Sequence, residues 1–533
     1  MIESAPADRL DHDPARAIES ASAFLAGEAV DSDVAQVLST GLAAGGAHWL
    51  VCILHERMLS RGQRPERADT RSRRSFERDT GAYMTPDAVA AWMARGHRLP
   101  PSELLYVDPA CGAGQLLVAA AQHVLQHDAD CPDPVALLQT HLRGIEQDHL
   151  LALAARVCIR ATLWPQNTRR DSFDAVVQCG DGLEYLRAGA QAGPLTPYVV
   201  ANPPFVGVVE RGFDAAGVHA GGAYRVGGTA NLAAVFWDAI DAFVGDRGGC
   251  TILMPRNLLV SEATRALRAS TAEAVSSVWL PASARLFTGA DVFVCVLSVD
   301  HGRDPHAQPL VWRDRGSKSA PAPPDAEQGV RVPAFAGPDW WAAICGVSSL
   351  PRLNVPEWVE VRAGMTTGDA YMVRDYIAEE PASSPSGFPR LLTTGLIDPG
   401  VVLWGDATCR YLKGKWQRPV VRAPADSPLW LERIVARSRR PKLIIAGLSS
   451  GWELFFDRHG EYAASVGTWT ILDRENDISR LEALQAAMEQ SPVQAWMDAE
   501  LGANAMSGGS MTITRGFLET TIPLALANAL NGF

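Results

Sequence analysis

From Leu104 onward short apolar runs alternate with segments of helical periodicity, and each run is the length of a buried strand. The runs are Leu104 to Val107, Leu142 to Ile145, Ala175 to Gln178, Tyr198 to Ala201, Cys250 to Met254 and Val292 to Val299. Strand and helix in regular alternation predict a doubly wound α/β sheet. Before it, apolar positions recurring through Ala21 to Ala29 and Val34 to Leu54 predict helices. After it, Pro321, Pro323 and Pro324 sit among Ala, Ser and charged residues, which predicts a linker. The expected organisation is a helical segment over 1–75, a catalytic α/β domain over 76–305, a linker over 306–338 and a mixed α/β domain over 339–533.

Between Gly207 and Asn231 the pattern breaks into a stretch crowded with glycine, which reads as a loop beside an active site. No internal repeat is evident, and the sequence offers no obvious run of about twenty apolar residues to span a bilayer. The start of the chain has no basic segment leading into an apolar one, so the expected location is the cytoplasm. Nine cysteines are scattered without a C-x-x-C pair, and no metal site is expected.

A net charge of −12 argues against a generally DNA-coating protein, because phosphate binding needs positive surface. Two local stretches qualify that. Arg57 to Arg78 holds eight arginines against three acids, and Arg433 to Lys442 holds five basic residues and no acid. Either is a solvated helix face or part of a local track for nucleic acid.

The chemistry concentrates at strand ends. In Tyr106-Val107-Asp108-Pro109-Ala110-Cys111-Gly112-Ala113-Gly114-Gln115-Leu116-Leu117, a strand end, an acid, a glycine turn and a helix start follow in order. An open sheet holds a nucleoside in this way. Leu117 stands where a third glycine would admit a pyrophosphate, so a cofactor lacking one fits better. Glu146, followed by Gln147, ends the second strand and can accept from two ribose hydroxyls; Asp181, followed by Gly182, can accept from an adenine amine. Each carboxylate alone is more often a cap or turn residue. Three after successive strands make a nucleoside site the better reading.

Ala201-Asn202-Pro203-Pro204-Phe205 follows the fourth strand. The Asn202 amide oxygen and the Pro203 carbonyl can both accept from one NH2 group, while the prolines stiffen the turn. Two such acceptors draw the hydrogens of an aryl amine out of plane and make its nitrogen more nucleophilic, with no strong base required. Phe205 would stack on the base that carries the amine.

Together these motifs resemble the gamma group of amino-methylating DNA methyltransferases, the TaqI-like and type IIG-like N6-adenine enzymes. Thr80-Gly81-Ala82-Tyr83-Met84-Thr85-Pro86 is similar to the family's G-x-Y-x-T-P element, which closes over the methionine part of the cofactor. Arg247 to Leu259 resembles its G-G-x-hydrophobic-P strand, and Arg285-Leu286-Phe287-Thr288-Gly289-Ala290 the segment whose aromatic residue covers the second face of the base. In the C-terminal domain, Gly364-Met365-Thr366-Thr367-Gly368 resembles a G-x-x-T-G element that opens target-recognition domains, and Met511 to Thr514 through Ile522 to Leu524 resembles their closing segment. The catalytic motif ends in Phe where the family more often has Tyr.

The resemblance implies a Rossmann-like sheet with S-adenosylmethionine as methyl donor and double-stranded DNA as substrate, an N6-adenine product, and a role in restriction-modification or phage defence. It implies Asn202, Pro203, Pro204, Phe205 and Phe287 around the target base. Around the cofactor it implies Tyr83, Thr85, Asp108, Ala110, Gly112, Gly114, Glu146, Gln147, Asp181, Gly182 and Asn202. The protein is expected to be a nucleoid-associated monomer with partner proteins supplying any restriction activity. N4-cytosine methylation, an RNA or protein amine substrate, and an idle DNA-binding subunit of a defence complex remain as alternatives.

Overall fold

The computed structural model describes residues 10–59, 84–189, 193–205, 225–226, 231–259, 261–281, 286, 294–304, 306–313, 329–332, 340–344, 354–381, 383, 387–424, 426–449, 451–490, 493, 497 and 511–531. They form two compact units, Met1–Ile344 and Cys345–Phe533.

The first unit is built on a nine-stranded sheet: β1 (Leu104–Asp108), β2 (Leu142–Glu146), β3 (Val177–Cys179), β4 (Thr196–Ala201), β5 (Gly249–Pro255), β6 (Val275–Leu280), β7 (Val294–Asp300), β8 (Leu310–Arg313) and β9 (Val330–Arg331). Their spatial order is β3-β2-β1-β4-β5-β7-β6-β8-β9. Strands β1 to β5 are parallel, and β7 lies antiparallel between β5 and β6. The chain order reverses beside β1, where β2 lies on one side and β4 on the other. In such sheets ligands bind outside the carboxyl ends at that reversal.

The helices named here are α1 (Pro14–Leu25), α2 (Ser32–Leu59), α3 (Asp87–Ala94), α4 (Gln115–His127), α5 (Pro134–His141), α6 (His149–Ala161), α7 (Gly182–Arg187) and α8 (Leu232–Val244). Tyr106, Leu116, Leu117, Tyr198, Val200, Leu253 and Trp279 belong to the main core of the unit. A second core joins the N-terminal helices to the sheet's own: Ile18 and Leu25 of α1 and Leu38, Leu50 and Leu54 of α2 pack with Val118 of α4 and Val157 and Cys158 of α6. Helix α2 is long and apolar enough by composition to cross a membrane, a feature the sequence reading passed over. It breaks at Gly46, whose φ of 60° and ψ of −155° are not helical.

Three further differences from expectation concern elements. β6 was not expected, since Val275–Leu280 carries two serines and lacks a continuous apolar run. Residues expected as linker supply β8 and β9, which extend the sheet by pairing β8 with β6. The unit also runs on to Ile344, six residues into the expected C-terminal domain, where the Trp341 indole donates to the Arg268 carbonyl at 3.1 Å.

The second unit holds two four-stranded sheets. One runs in the order Val359–Ala363, Thr468–Asp473, Lys442–Ala446, Leu454–Asp457, all antiparallel. The other runs Ile377–Glu379, Pro419–Val421, Arg390–Leu392, Tyr462–Ala464. The G-x-x-T-G element acts structurally there. A side chain at Gly364 would come within 2.5 Å of the Ser465 carbonyl, and Thr366 caps helix Thr367–Val373 in a reciprocal box with Asp369. The closing segment pairs Met511–Thr512 with Leu448–Ser449.

Candidate functional site

Parallel pairing of β1 with β4 brings the two motif-bearing strand ends side by side, with Val107 opposite Val199. The glycine loop therefore leaves β1 next to where Asn202 leaves β4. Gly112 has φ +54°, a region that L side chains rarely adopt, and a Cβ built there would meet nothing within 4 Å. This is a loop whose backbone faces open space. Gly114 has φ +92°, and a Cβ there would press on Ala155 Cα at 3.1 Å, so glycine lets α4 start hard against α6. Gly182 sits tighter still: its Cβ would lie 1.8 Å from the Pro109 carbonyl oxygen. The turn after β3 thus rests directly on the loop after β1, and no other residue type fits there.

The three carboxylates play three different parts. Asp108 is 1 % exposed and accepts from the Ala110 N–H at 3.1 Å. Burial pushes its pKa up to about 8, against the pull of that N–H and with help from the Glu146 charge. It braces the turn from beneath. Glu146 is half-buried; it accepts the Gly112 N–H at 2.9 Å through one oxygen and the Asp148 N–H at 2.8 Å through the other. Burial raises its pKa, while those backbone groups oppose the rise. Backbone N–H groups pin the carboxylate without using all of its roughly four acceptor positions, so it is still able to accept. Asp181 caps α7 by accepting from Leu183 and Glu184 N–H, both through Oδ1. The cap role expected of a lone Asp is therefore real, and Oδ2 takes no bond among the described residues. Ala110 is half-buried and Gln147 exposed at the same strand ends.

Asn202 donates through Nδ2 to Thr85 Oγ1 at 3.0 Å, and Thr85 is 2 % exposed. This bond anchors one edge of the amide. Pro203 is buried, and Phe205 is half-buried and packed against the main core. The Thr85 side chain thus meets Asn202, a contact the sequence did not suggest. Two residues on, Asp87 Oδ1 accepts from Gln115 Nε2 at 2.6 Å, tying the same segment to the first residue of α4. Gln115 Nε2 also meets His48 Nδ1 at 3.0 Å, and His48 Nε2 meets Gln122 Oε1 at 2.8 Å. The neutral ring that suits these partners carries its proton on Nε2. His48, Asp87 and Gln115 were missed because each is an ordinary polar residue on a helical pattern; only the fold joins them. Tyr83 and Phe287 lie outside the described residues.

One of the two basic stretches can be followed in full. In Arg433 to Lys442, Arg437 donates to the Gly364 carbonyl, Arg439 to the Gly387 carbonyl, and Arg440 to Asn476 and the Asp473 carbonyl. Lys442 is 1 % exposed and pairs with Asp457 at 2.5 Å. That stretch knits the second unit together. Most of the other, residues 60–78, lies outside the described residues, and Arg57 within it bonds His12 and the Leu10 carbonyl.

An open backbone cradle at Gly112, a pinned carboxylate at the next strand end and a third beyond it suit a nucleoside cofactor with no pyrophosphate. The sheet order and this loop define the class, a Rossmann-like α/β fold. Residues 73–319 match the family model described as N-6 DNA Methylase, and S-adenosylmethionine is the cofactor that this match implies. No curated protein sequence matches the chain. Among solved structures, the Type IIL restriction-modification enzyme MmeI in complex with DNA is 12 % identical with a TM-score of 0.53, covering 95 % of this chain and 82 % of its own. That likeness shows the fold over both units. A putative class I S-adenosylmethionine-dependent methyltransferase from Listeria monocytogenes is 15 % identical (TM-score 0.34; 54 % of this chain and 80 % of that one). A modification subunit of a putative type I restriction enzyme from Vibrio vulnificus YJ016 is 18 % identical (TM-score 0.37; 56 % and 59 %).

Proposed function

We propose that the chain is a site-specific methyltransferase that moves a methyl group from S-adenosylmethionine to the N6 amine of an adenine swung out of duplex DNA, within a restriction-modification or phage-defence system. The observation that carries this reading is the Asn202 amide, held at the end of β4 by Thr85, followed by two prolines and set beside the Gly112 loop.

Bound there, S-adenosylmethionine supplies a methyl carbon on a sulfonium, a leaving group that needs no acid from the protein. Asn202 Oδ1 and the Pro203 carbonyl accept the two hydrogens of the target amine and turn its lone pair toward that carbon. With that methyl carbon supplied, the same acceptor pair would also receive the proton that the methylated amine loses and hand it to water. Phe205 supports one face of the base, and Phe287 is the proposed support of the other; Tyr83 is assigned to the methionine end of the cofactor. Glu146 accepts from the ribose hydroxyls and Asp181 from the cofactor's adenine amine. Thr85, expected at the cofactor, is placed instead as the residue that positions Asn202. The second unit, Cys345–Phe533, is assigned to target recognition.

The test is transfer of radiolabelled methyl to unmethylated genomic DNA, with nucleoside analysis and with RNA and protein substrates alongside. Label in N6-methyladenine is expected, and Asn202→Ala should remove it while leaving cofactor binding intact. Label in N4-methylcytosine, RNA or protein would overturn the assignment of substrate.

A further inference from the structure

The hairpin formed by strands Cys409–Tyr411 and Gly414–Trp416 carries three choices that work against its own stability. Its register places Arg410 directly opposite Lys415, a like-charge cross-strand pair, which is destabilising. Its two-residue turn has Leu412 at φ 47° and Lys413 at φ 67°. A turn with both central residues at positive φ favours Asn-Gly or Gly-Gly, and neither Leu nor Lys is suited to it. Alternation explains the rest. Cys409 and Tyr411 are buried, and the Trp416 indole donates to the Tyr411 carbonyl at 3.2 Å, so this face joins the core of the second unit. Arg410, Lys413 and Lys415 are left exposed, and none forms an ion pair or side-chain hydrogen bond among the described residues.

The nearby charges do not neutralise them. Glu379 is occupied by the backbone N–H groups of Gln417 and Arg418, at 3.2 and 2.7 Å. Arg418 and Arg390 both stack on Trp404, at 4.7 and 4.9 Å from the ring centroid; Arg390 is paired with Glu461, and Arg418 adds a cation at the base of the hairpin. From Cys409 to Arg422 there is no acidic residue at all. Local rules broken together at one exposed place point to a function that compensates for them.

We infer that this hairpin is a docking surface for the sugar-phosphate backbone of duplex DNA, with Arg410, Lys413 and Lys415 as its phosphate contacts. The inference rests on the proposed DNA substrate. A chain of net charge −12 can hold a polyanion only through local positive surface. In the Arg433 to Lys442 stretch, which the sequence offers for that purpose, Arg437, Arg439, Arg440 and Lys442 are all engaged in internal bonds. Phosphate contacts of this kind supply affinity and register and carry no base information. Their signature is therefore a uniform, salt-dependent contribution to binding.

The experiment measures anisotropy of a fluorescein-labelled 30-bp duplex against the full chain over a range of NaCl concentrations. The triple variant Arg410→Gln, Lys413→Gln, Lys415→Gln is compared with wild type, with S-adenosylmethionine binding by calorimetry as the check on folding. Removing three phosphate contacts should lower the steepness of log K against log[salt] by about 2.7 and weaken binding about 10- to 100-fold, equally on duplexes of different sequence. The single variant Lys413→Gly should lower the steepness by about 0.9 and raise the melting temperature, because glycine relieves the turn. Arg410→Lys should leave the salt dependence unchanged. Wild-type binding with an unaltered slope in the triple variant would overturn the hairpin assignment while leaving the functional reading in place. Wild type that binds no duplex at all would overturn both. Hairpin-dependent binding confined to RNA would overturn the choice of DNA.

Discussion

Glu146 in the first unit and Asp457 in the second are both carboxylates that accept two backbone N–H groups, yet only Asp457 also holds a cation. Asp457 takes the Glu461 and Tyr462 N–H groups, at 2.9 and 3.0 Å, and the Lys442 ammonium. Lys442 in turn donates to the Ser438 and Arg440 carbonyls, so both buried charges are saturated. Glu146 takes Gly112 and Asp148 N–H and no cation among the described residues. A saturated pair stabilises one conformation and has nothing left to offer a ligand. A carboxylate fixed by backbone groups alone is oriented and still has acceptor capacity. The difference separates charge used for folding from charge held ready for binding.

The largest effect is expected on the saturated side. Asp457→Ala leaves Lys442 buried without a counter-charge and should destabilise the protein by about 3–5 kcal/mol, read as a shift of the urea midpoint. A change within error would mean that water reaches Lys442 and that the pair is not a structural unit. On the other side, Glu146→Gln keeps the shape but turns an amide toward backbone donors and removes the charge. S-adenosylmethionine affinity by calorimetry should fall about 10- to 100-fold, the range of one to two charged hydrogen bonds, with a smaller loss of stability than at Asp457. Unchanged affinity would place Glu146 with Asp457 as a folding residue. The smallest effect belongs to Thr85, which holds Asn202 without touching the target amine. Thr85→Val should lower kcat about fivefold, roughly one neutral hydrogen bond, with cofactor affinity intact and Thr85→Ser restoring turnover. A loss of cofactor affinity with normal kcat would return Thr85 to the cofactor side.

Much of the sheet could be read in the sequence because its central strands are buried on both faces and appear as continuous apolar runs. Leu104–Asp108, Thr196–Ala201 and Gly249–Pro255 follow that rule. Val275–Leu280 breaks it with Ser276 and Ser277, both half-buried, and escaped notice. The antiparallel direction of β7 and the use of 310–313 and 330–331 as strands depend on pairing partners far away in the chain, which local pattern does not encode. The strand-end acids and Asn202 were legible as a set. The burial of Asp108 and the reach of Thr85 to Asn202 were not, because both depend on how the loops fold over each other. The Arg433 to Lys442 stretch misled for a related reason: charge counts along the chain do not say whether an arginine faces water or a carbonyl.

The break in α2 at Gly46 decides how far an apolar helix can reach. Unbroken, its 28 residues would extend roughly 42 Å at 1.5 Å per residue. Its halves, 32–45 and 47–59, each reach only about 20 Å, short of the ~30 Å hydrocarbon layer of a bilayer. One glycine thus turns a stretch with the composition of a membrane anchor into two struts, and the apolar surface they share is spent on Ile18, Val118 and Val157 inside the protein.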